Sequence, residues 1–173
     1  MKKVLLMLMF VLGCGISANA QFAIKGGLGA CNVTGDYDGD ATFHWKIGAG
    51  YEIRINELIG IEPNAFLVGK GTEENKDLTW NPIYLEIPVM CNFHLGDHWA
   101  LGAGPYLAPL LSDDDSILNV NDMDYGVRIG ARYGFDSGFE LGVDTSFGLN
   151  DVYDYERYDS KHLSLSFTCG YRF

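Results

Sequence analysis

Between Phe43 and Asn56 the chain reads FHWKIGAGYEIRIN, and its side chains divide by parity. Odd positions hold Phe43, Trp45, Ile47, Ala49, Tyr51, Ile53 and Ile55. Even positions hold His44, Lys46, Gly48, Gly50, Glu52, Arg54 and Asn56. A strand sends successive side chains to opposite faces, so this stretch is a strand with one apolar face and one face of glycine and charge. No amphipathic helix can satisfy a period of two over fourteen consecutive residues.

The same division recurs along the chain. It covers Phe22 to Cys31, Ile59 to Lys70, Pro82 to Phe93, Trp99 to Leu111, Tyr125 to Phe135, Phe139 to Leu149 and Leu163 to Phe173. Pro88 would ordinarily count against a strand, but the alternation continues on both sides of it. The segment from Ile59 is the least regular, because Phe66 and Val68 fall on its polar side. Connections alternate long and short, beginning with a long one. Eight such segments predict an all-β fold, an eight-stranded antiparallel up-and-down transmembrane β-barrel with tight turns at one end and long loops at the other.

A soluble barrel would put the apolar face inside. Volume argues against that, since an eight-stranded barrel has an interior barely wide enough for its own side chains or one small ligand. Phe43, Trp45, Trp99, Tyr133, Phe147 and Phe167, with the aliphatic residues beside them, exceed that space. The opposite face is rich in glycine, including Gly48, Gly50, Gly102, Gly130 and Gly170, which leaves room for long charged side chains. The polar face is therefore expected inside and the apolar face against lipid. Aromatic residues gather near strand ends, as amphipathic rings do at membrane boundaries.

Lys2 and Lys3 precede an apolar run from Val4 to Gly13, and Ala18-Asn19-Ala20 forms an A-x-A cleavage site. The run is shorter than the roughly 20 residues a membrane-spanning helix needs. Residues 1–20 are thus read as a signal peptide, with 21–173 the barrel domain; Val11-Leu12-Gly13-Cys14 is only a loose lipid-attachment box. No later run is long and apolar enough for a helical span. Cys31, Cys91 and Cys169 are odd in number and lie on separate strands, so neither a disulfide framework nor a metal knuckle is expected.

Without Lys2 and Lys3, ten basic residues face twenty-three acidic ones, a balance of 10 − 23 = −13. The four long connections hold fifteen acids and three bases (Lys76, Arg157 and Lys161), or 3 − 15 = −12. The charge therefore sits in the loops, and nucleic acid, which needs a basic footprint, is not an expected partner. The barrel body is almost neutral. Its inward charges are Lys25, Lys46, Arg54, Lys70, Arg128, Arg132 and Arg172 against Glu52, Glu62, Glu86, Glu140 and Asp144. Opposite charges in a narrow lumen should pair, because an unpaired buried charge is costly, and a plugged interior is expected over an open pore.

These residues bring the chain close to a known group. Phe22-Ala-Ile-Lys-Gly-Gly-Leu, the run from Ile61 to Gly71, Tyr84-Leu-Glu-Ile-Pro-Val and the terminal Cys169-Gly-Tyr-Arg-Phe resemble the small outer-membrane β-barrel family of PorT-like or porin-family proteins. In architecture the chain is similar to OmpA/OmpX-type barrels. The resemblance implies residence in the outer membrane of a Gram-negative-type bacterium, contact with outer-membrane lipid, and handling by the barrel-assembly machinery during insertion. Tyr171 and Phe173 resemble the terminal signal that this machinery reads, although Thr168 stands where many such signals carry glycine. Membership implies no reaction.

Candidate sites are few. Asp36-Tyr-Asp-Gly-Asp40 opens like a calcium loop but has Ala41 and Ile47 where an EF-hand needs Gly and Glu. His94-Leu-Gly-Asp-His98 offers two imidazoles and a carboxylate, read as ordinary turn residues. His44 and His162 are placed inward near the loop end. A lipid-modifying barrel enzyme would present a nucleophile and base to the membrane, and no histidine lies on the apolar face. No catalytic residue, cofactor or metal is therefore expected. Three readings stay open: a non-enzymatic barrel acting through its acidic loops on an extracellular partner, a narrow channel, and a secretion-system accessory or lipid-modifying enzyme.

Overall fold

The computed structural model describes residues 20–35, 41–70, 72–75, 78–80, 82–112, 122–150 and 160–173. Among these residues ten strands follow one another: β1 (Ala20–Gly35), β2 (Thr42–Arg54), β3 (Ile59–Lys70), β4 (Thr72–Asn75), β5 (Leu78–Trp80), β6 (Ile83–Leu95), β7 (Trp99–Ser112), β8 (Met123–Gly134), β9 (Phe139–Gly148) and β10 (Ser160–Arg172). Eight of them close a barrel in the order β1-β10-β9-β8-β7-β6-β3-β2, with β2 paired back to β1. Every pairing is antiparallel. Closure leaves no strand edge, which is what allows a sheet to stand in hydrocarbon.

The alternation seen in the sequence sets which way each side chain faces. Along β2, Phe43 and Ile47 are exposed while Thr42, His44 and Lys46 are buried. Along β6, Tyr84, Glu86, Pro88, Met90, Asn92 and His94 are all buried, and Val89, Cys91, Phe93 and Leu95 are exposed. Leu28, Phe43, Phe167 and Phe173 are each more than half exposed, the reverse of a soluble protein's arrangement and the surface that lipid would cover. Tyr51 is the exception on β2: it is buried although its odd-numbered neighbours are not.

Pro88 does not interrupt β6. It keeps register opposite Tyr106 of β7, and its ring lies in the interior. Phe66 and Val68, irregular in sequence, are also interior residues, at 4% and 0% exposure. The alternation of β3 is therefore intact; its inward face is simply not all polar.

Short turns close one end. After β2, Asn56 Oδ1 accepts from the backbone N–H of Leu58 and Ile59 at 2.9 and 2.7 Å, so Asn56 caps a turn that begins at Ile55 and not inside the strand. Gly96 and Gly138 take φ of 73° and 86° in the other two turns, a region that side-chain-bearing residues seldom adopt. The last strand closes against the first, where Phe173 N–H donates to Phe22 O at 2.9 Å.

Three boundaries differ from the sequence reading. β1 continues past Cys31 to Gly35. The second long connection, read as loop, contains the two-stranded hairpin β4–β5, whose segments of four and three residues are too short to show a period. Asp124 and Lys161, counted with the loops, lie within β8 and β10. Removing one acid and one base from the loop count leaves 2 − 14 = −12, so the acidic bias of the connections is unchanged. The Asp36–Asp40 motif and residues 1–19 lie outside the described residues.

Interior glycines make the space that interior side chains fill. A Cβ on Gly50 would lie 2.0 Å from Asn64 Oδ1, one on Gly60 2.7 Å from Glu52 Oε1, and one on Gly170 3.1 Å from Glu140 Oε1. Gly104 is tighter still, with Val89 O 1.9 Å from that position. Gly104→Ala is expected to destabilise the barrel by about 1–3 kcal/mol through overpacking. Leu101→Ile, on the lipid-facing side of the same strand, should change stability by no more than about 0.5 kcal/mol. Urea unfolding in liposomes, followed by loss of the compact band on unheated gels, measures both.

Candidate functional site

The interior charges fall into two tiers stacked along the barrel axis. The tier nearer the turns is built from Lys25 (β1), Glu52 (β2), Glu62 (β3), Asn92 and His94 (β6), Arg132 (β8), Glu140 (β9) and Arg172 (β10). Glu52 and Glu62 are its centre. Glu62 Oε1 accepts from Lys25 Nζ at 2.6 Å and Arg172 Nη2 at 3.2 Å, and its Oε2 accepts from Arg132 Nη1 at 2.9 Å and Asn92 Nδ2 at 2.8 Å. Glu52 Oε2 accepts from Arg132 Nη2 at 3.0 Å and Arg172 Nη1 at 2.9 Å. Its Oε1 takes Asn92 Nδ2 at 3.0 Å and His94 Nε2 at 2.8 Å.

Each carboxylate thus has four donors, the full complement of an ionised carboxyl group. Glu140 completes the tier, 3.0 Å from Arg172 Nη2 and 3.5 Å from Lys25 Nζ. Three cations and three carboxylates give 3 − 3 = 0. Glu52 and Glu62 are 0% and 1% exposed, so neutrality is a condition of burial here and not an embellishment.

The tier nearer the loops repeats the balance with different geometry. Lys46 Nζ lies 2.5 Å from Asp144 Oδ1, and Lys70 Nζ lies 3.1 Å from Glu86 Oε2 and 2.6 Å from Asp124 Oδ2. Arg128 bridges the two pairs, reaching Glu86 through Nη2 and Ser146 Oγ through Nε at 3.0 Å. Lys46, Lys70 and Arg128 against Glu86, Asp124 and Asp144 again give 3 − 3 = 0.

Aromatic faces take the remaining cation surface. Lys70 Nζ stands 4.9 Å from the Tyr106 ring centroid and 5.5 Å from that of Tyr84. Lys46 and Arg128 lie 5.6 and 5.4 Å from Phe66. Such contacts strengthen when water is excluded. Tyr106 OH also donates to Asp124 Oδ2 at 3.2 Å.

Of the twelve inward charges singled out in the sequence, eleven fall in one tier or the other. Arg54 does not. It is exposed at the end of β2, and its one described contact is Nη2 to His94 Nδ1 at 3.5 Å. Lys70, at 1% exposure, belongs to the tier nearer the loops, the upper tier, as opposed to the lower one nearer the turns.

Sequence reasoning left out several members. In the sequence Asp124 belongs to an acidic run that continues into the loop, and His94 to a turn. The structure instead puts both at the ends of strands, buried. Phe66, Tyr84 and Tyr106 carried one signal, an aromatic at an otherwise polar parity. Which cation each would meet required the register across the barrel. His44 and His162 are buried near the loop end, where His44 Nδ1 contacts Gly69 O at 3.0 Å and His162 Nδ1 lies 3.8 Å from Cys31 Sγ. His98 is separate from His94, with its Nδ1–H donating to Gly134 O at 3.0 Å. Cys91 and Cys169 face outward, and no group of three metal-ligating side chains occurs among the described residues.

Two cavities stand out among the described residues. One of about 80 Å³ lies between the tiers, lined by Lys25, Glu62, Asn64, Arg128, Glu140 and Asp144 among others. The other, of about 270 Å³, is a vestibule at the turn end, with Arg132 and Arg172 among its lining residues.

A closed eight-stranded barrel with an apolar belt and a charged interior defines a small outer-membrane β-barrel protein. The chain belongs to the outer membrane protein beta-barrel domain family, whose model matches residues 5–173. No curated protein matches the sequence. Among solved structures, Neisserial surface protein A superposes with a TM-score of 0.64 at 15% identity, over 88% of this chain and 97% of that one. Ail, the attachment invasion locus protein of Yersinia pestis, solved with the heparin analogue sucrose octasulfate, gives 0.55 at 19% identity, over 90% and 99%. The outer membrane enzyme PagL gives 0.55 at 15% identity, over 86% and 98%. Identities this low establish a common fold and nothing finer.

Glu52→Gln removes one negative charge from a balanced tier and leaves Arg132 and Arg172 undercompensated. The expected loss of stability is about 3–5 kcal/mol, the range for breaking a buried ion pair. A Glu52→Gln, Arg172→Gln double variant restores the balance and should recover part of it. A double-mutant cycle on urea unfolding in liposomes reads the coupling.

Proposed function

We propose that this chain is a non-enzymatic integral protein of the outer membrane that acts through its acidic loops, with the charged lumen serving to hold the barrel shut and rigid beneath them. The observation that carries this reading is the pair of neutral tiers, linked by direct hydrogen bonds from strand to strand across the lumen. Residues Lys25, Lys46, Glu52, Glu62, Glu86, Arg128, Arg132, Glu140, Asp144 and Arg172 then have a structural role, not a transport or catalytic one. A net −12 confined to the connections favours a partner that is cationic, or one bridged through divalent cations. The PorT-like grouping belongs to the same reading.

The N-terminal segment is read as a signal peptide cleaved after Ala20, so the mature chain should begin at Gln21 by N-terminal sequencing of protein isolated from the envelope. Tyr171 and Phe173 are proposed as the signal for assembly. Their rings stack edge to face at 5.0 Å, and Phe173 meets Phe22 at 6.1 Å across the closing seam. The same residues would thus serve both recognition and final closure.

A narrow channel is the competing reading, favoured by the cavity between the tiers. Planar-bilayer recording separates the two. The mature protein is expected to give no resolved conductance steps, whereas reproducible steps that change in Glu62→Gln would replace the plugged reading with a channel. Crosslinking from single cysteines placed in the loops of the intact envelope should capture a discrete partner; capture of none would remove the loop-mediated role.

A further inference from the structure

The two tiers balance without Arg54. Each of the six cations in the tiers has at least one carboxylate within ion-pair distance, while Arg54, exposed at the end of β2, has none among the described residues. Its single described contact, Nη2 to His94 Nδ1 at 3.5 Å, is compatible with only one arrangement of that imidazole. His94 Nε2–H donates to Glu52 Oε1 at 2.8 Å, which leaves Nδ1 as a lone-pair acceptor toward Arg54. A guanidinium carries five N–H donors. Most of those on Arg54 therefore have no acceptor among the described residues, and the group lines the turn-end vestibule.

The vestibule is a shaped space and not a flat surface. Its volume of about 270 Å³ far exceeds the roughly 10–15 Å³ that a single water needs on the same measure, which leaves room for a solute of several heavy atoms. Phe135, Phe139 and Phe173, whose rings belong to the exposed belt, border it at the rim, and Arg132 and Arg172 are also among its lining residues. Those two are held by Glu52, Glu62 and Glu140, so they contribute positive potential without being free to move. His98 lines the same space with Nδ1–H committed to Gly134 O, which turns Nε2 away from that bond.

Three carboxylates also line it. Glu140 is neutralised by Lys25 and Arg172, and Asp136 is 97% exposed, directed at bulk water. Asp97 is exposed on the turn. None of them approaches Arg54 within ion-pair distance.

We propose that the turn-end vestibule is a binding site for a small oxyanion, held by the fork of Arg54 beside the imidazoles of His94 and His98. A planar carboxylate or a phosphate can take two parallel N–H donors from one guanidinium, the geometry that makes arginine the usual partner for such groups. In a barrel of this family the turns face the periplasm, so the ligand would be a periplasmic solute or the acidic end of a periplasmic polymer. The site is independent of the loops and of whether the lumen conducts.

The test is a titration of the full mature protein in detergent micelles, read by the arginine Nε–Hε and backbone amide resonances of Asp97 and Gly134. Sodium acetate and sodium phosphate provide the two oxyanion arms, with sodium chloride at matched ionic strength. Saturable shifts of the Arg54 side chain and of both amides by either oxyanion are expected, with at least a tenfold weakening in Arg54→Gln. Arg54 lies outside both tiers, so this variant should keep the wild-type unfolding midpoint. Linear shifts matched by chloride would overturn the proposal, as would unchanged saturation of the Asp97 and Gly134 amides in Arg54→Gln.

Discussion

A buried carboxylate must be neutralised where it stands, and the interior of this barrel is arranged around two that are. Glu52 and Glu62 are almost fully excluded from solvent, and each is met by four donors contributed by strands remote in sequence. Arg172 reaches both from the last strand, joining the two ends of the chain through the lumen as the backbone joins them through the wall. Moving several ions out of water costs several kcal/mol apiece before any is regained, so such a lattice tolerates little disorder in its members. The barrel wall supplies that order, because hydrogen-bonded strands fix where each side chain begins.

The same constraint explains the glycines. An eight-stranded lumen has no spare width, and a lattice of Arg, Lys and Glu side chains needs a good deal of it. Positions that carry no Cβ, such as Gly50, Gly60 and Gly170, stand next to Asn64, Glu52 and Glu140. Upper and lower tiers solve the problem differently. The lower one uses guanidinium groups shared among three carboxylates, and the upper one sets its cations on the rings of Phe66, Tyr84 and Tyr106. Both reach zero net charge, which concentrates nearly all of the protein's negative charge in the connections outside the wall. Arg54 is the residue that this accounting leaves over.

The outer face follows simpler rules. Lipid is as apolar as the side chains it touches, so the wall needs apolar residues but no particular packing between them. That freedom suits Cys91 and Cys169, which sit on the exposed side as small apolar residues. At the turn end the rings of Trp99, Tyr133, Phe135 and Phe139 contact one another in sequence, with centroids 4.9 to 5.9 Å apart. On β2 and β3 the same depth is aliphatic, with Ile53, Ile59 and Ile61 exposed. The belt is thus uneven around the circumference.

Alternation by parity was enough, from the sequence, for the class of fold, the number of barrel strands and the inward or outward sense of most side chains. These depend on a local fact, that consecutive residues in a strand face opposite ways. Even the irregular β3 obeyed it, with Phe66 and Val68 on the side their parity assigns. Which charges meet was decided only by the closed barrel. Glu52 and Arg172 are 120 positions apart, and their contact depends on the stagger of all the strands between them. Asp124 and His94 looked like loop and turn because their neighbours in sequence are polar; the wall pulls them inward because a cation or carboxylate waits across the lumen. Pairing is a property of distances through space, and no pattern along the chain encodes those until the last strand has joined the first.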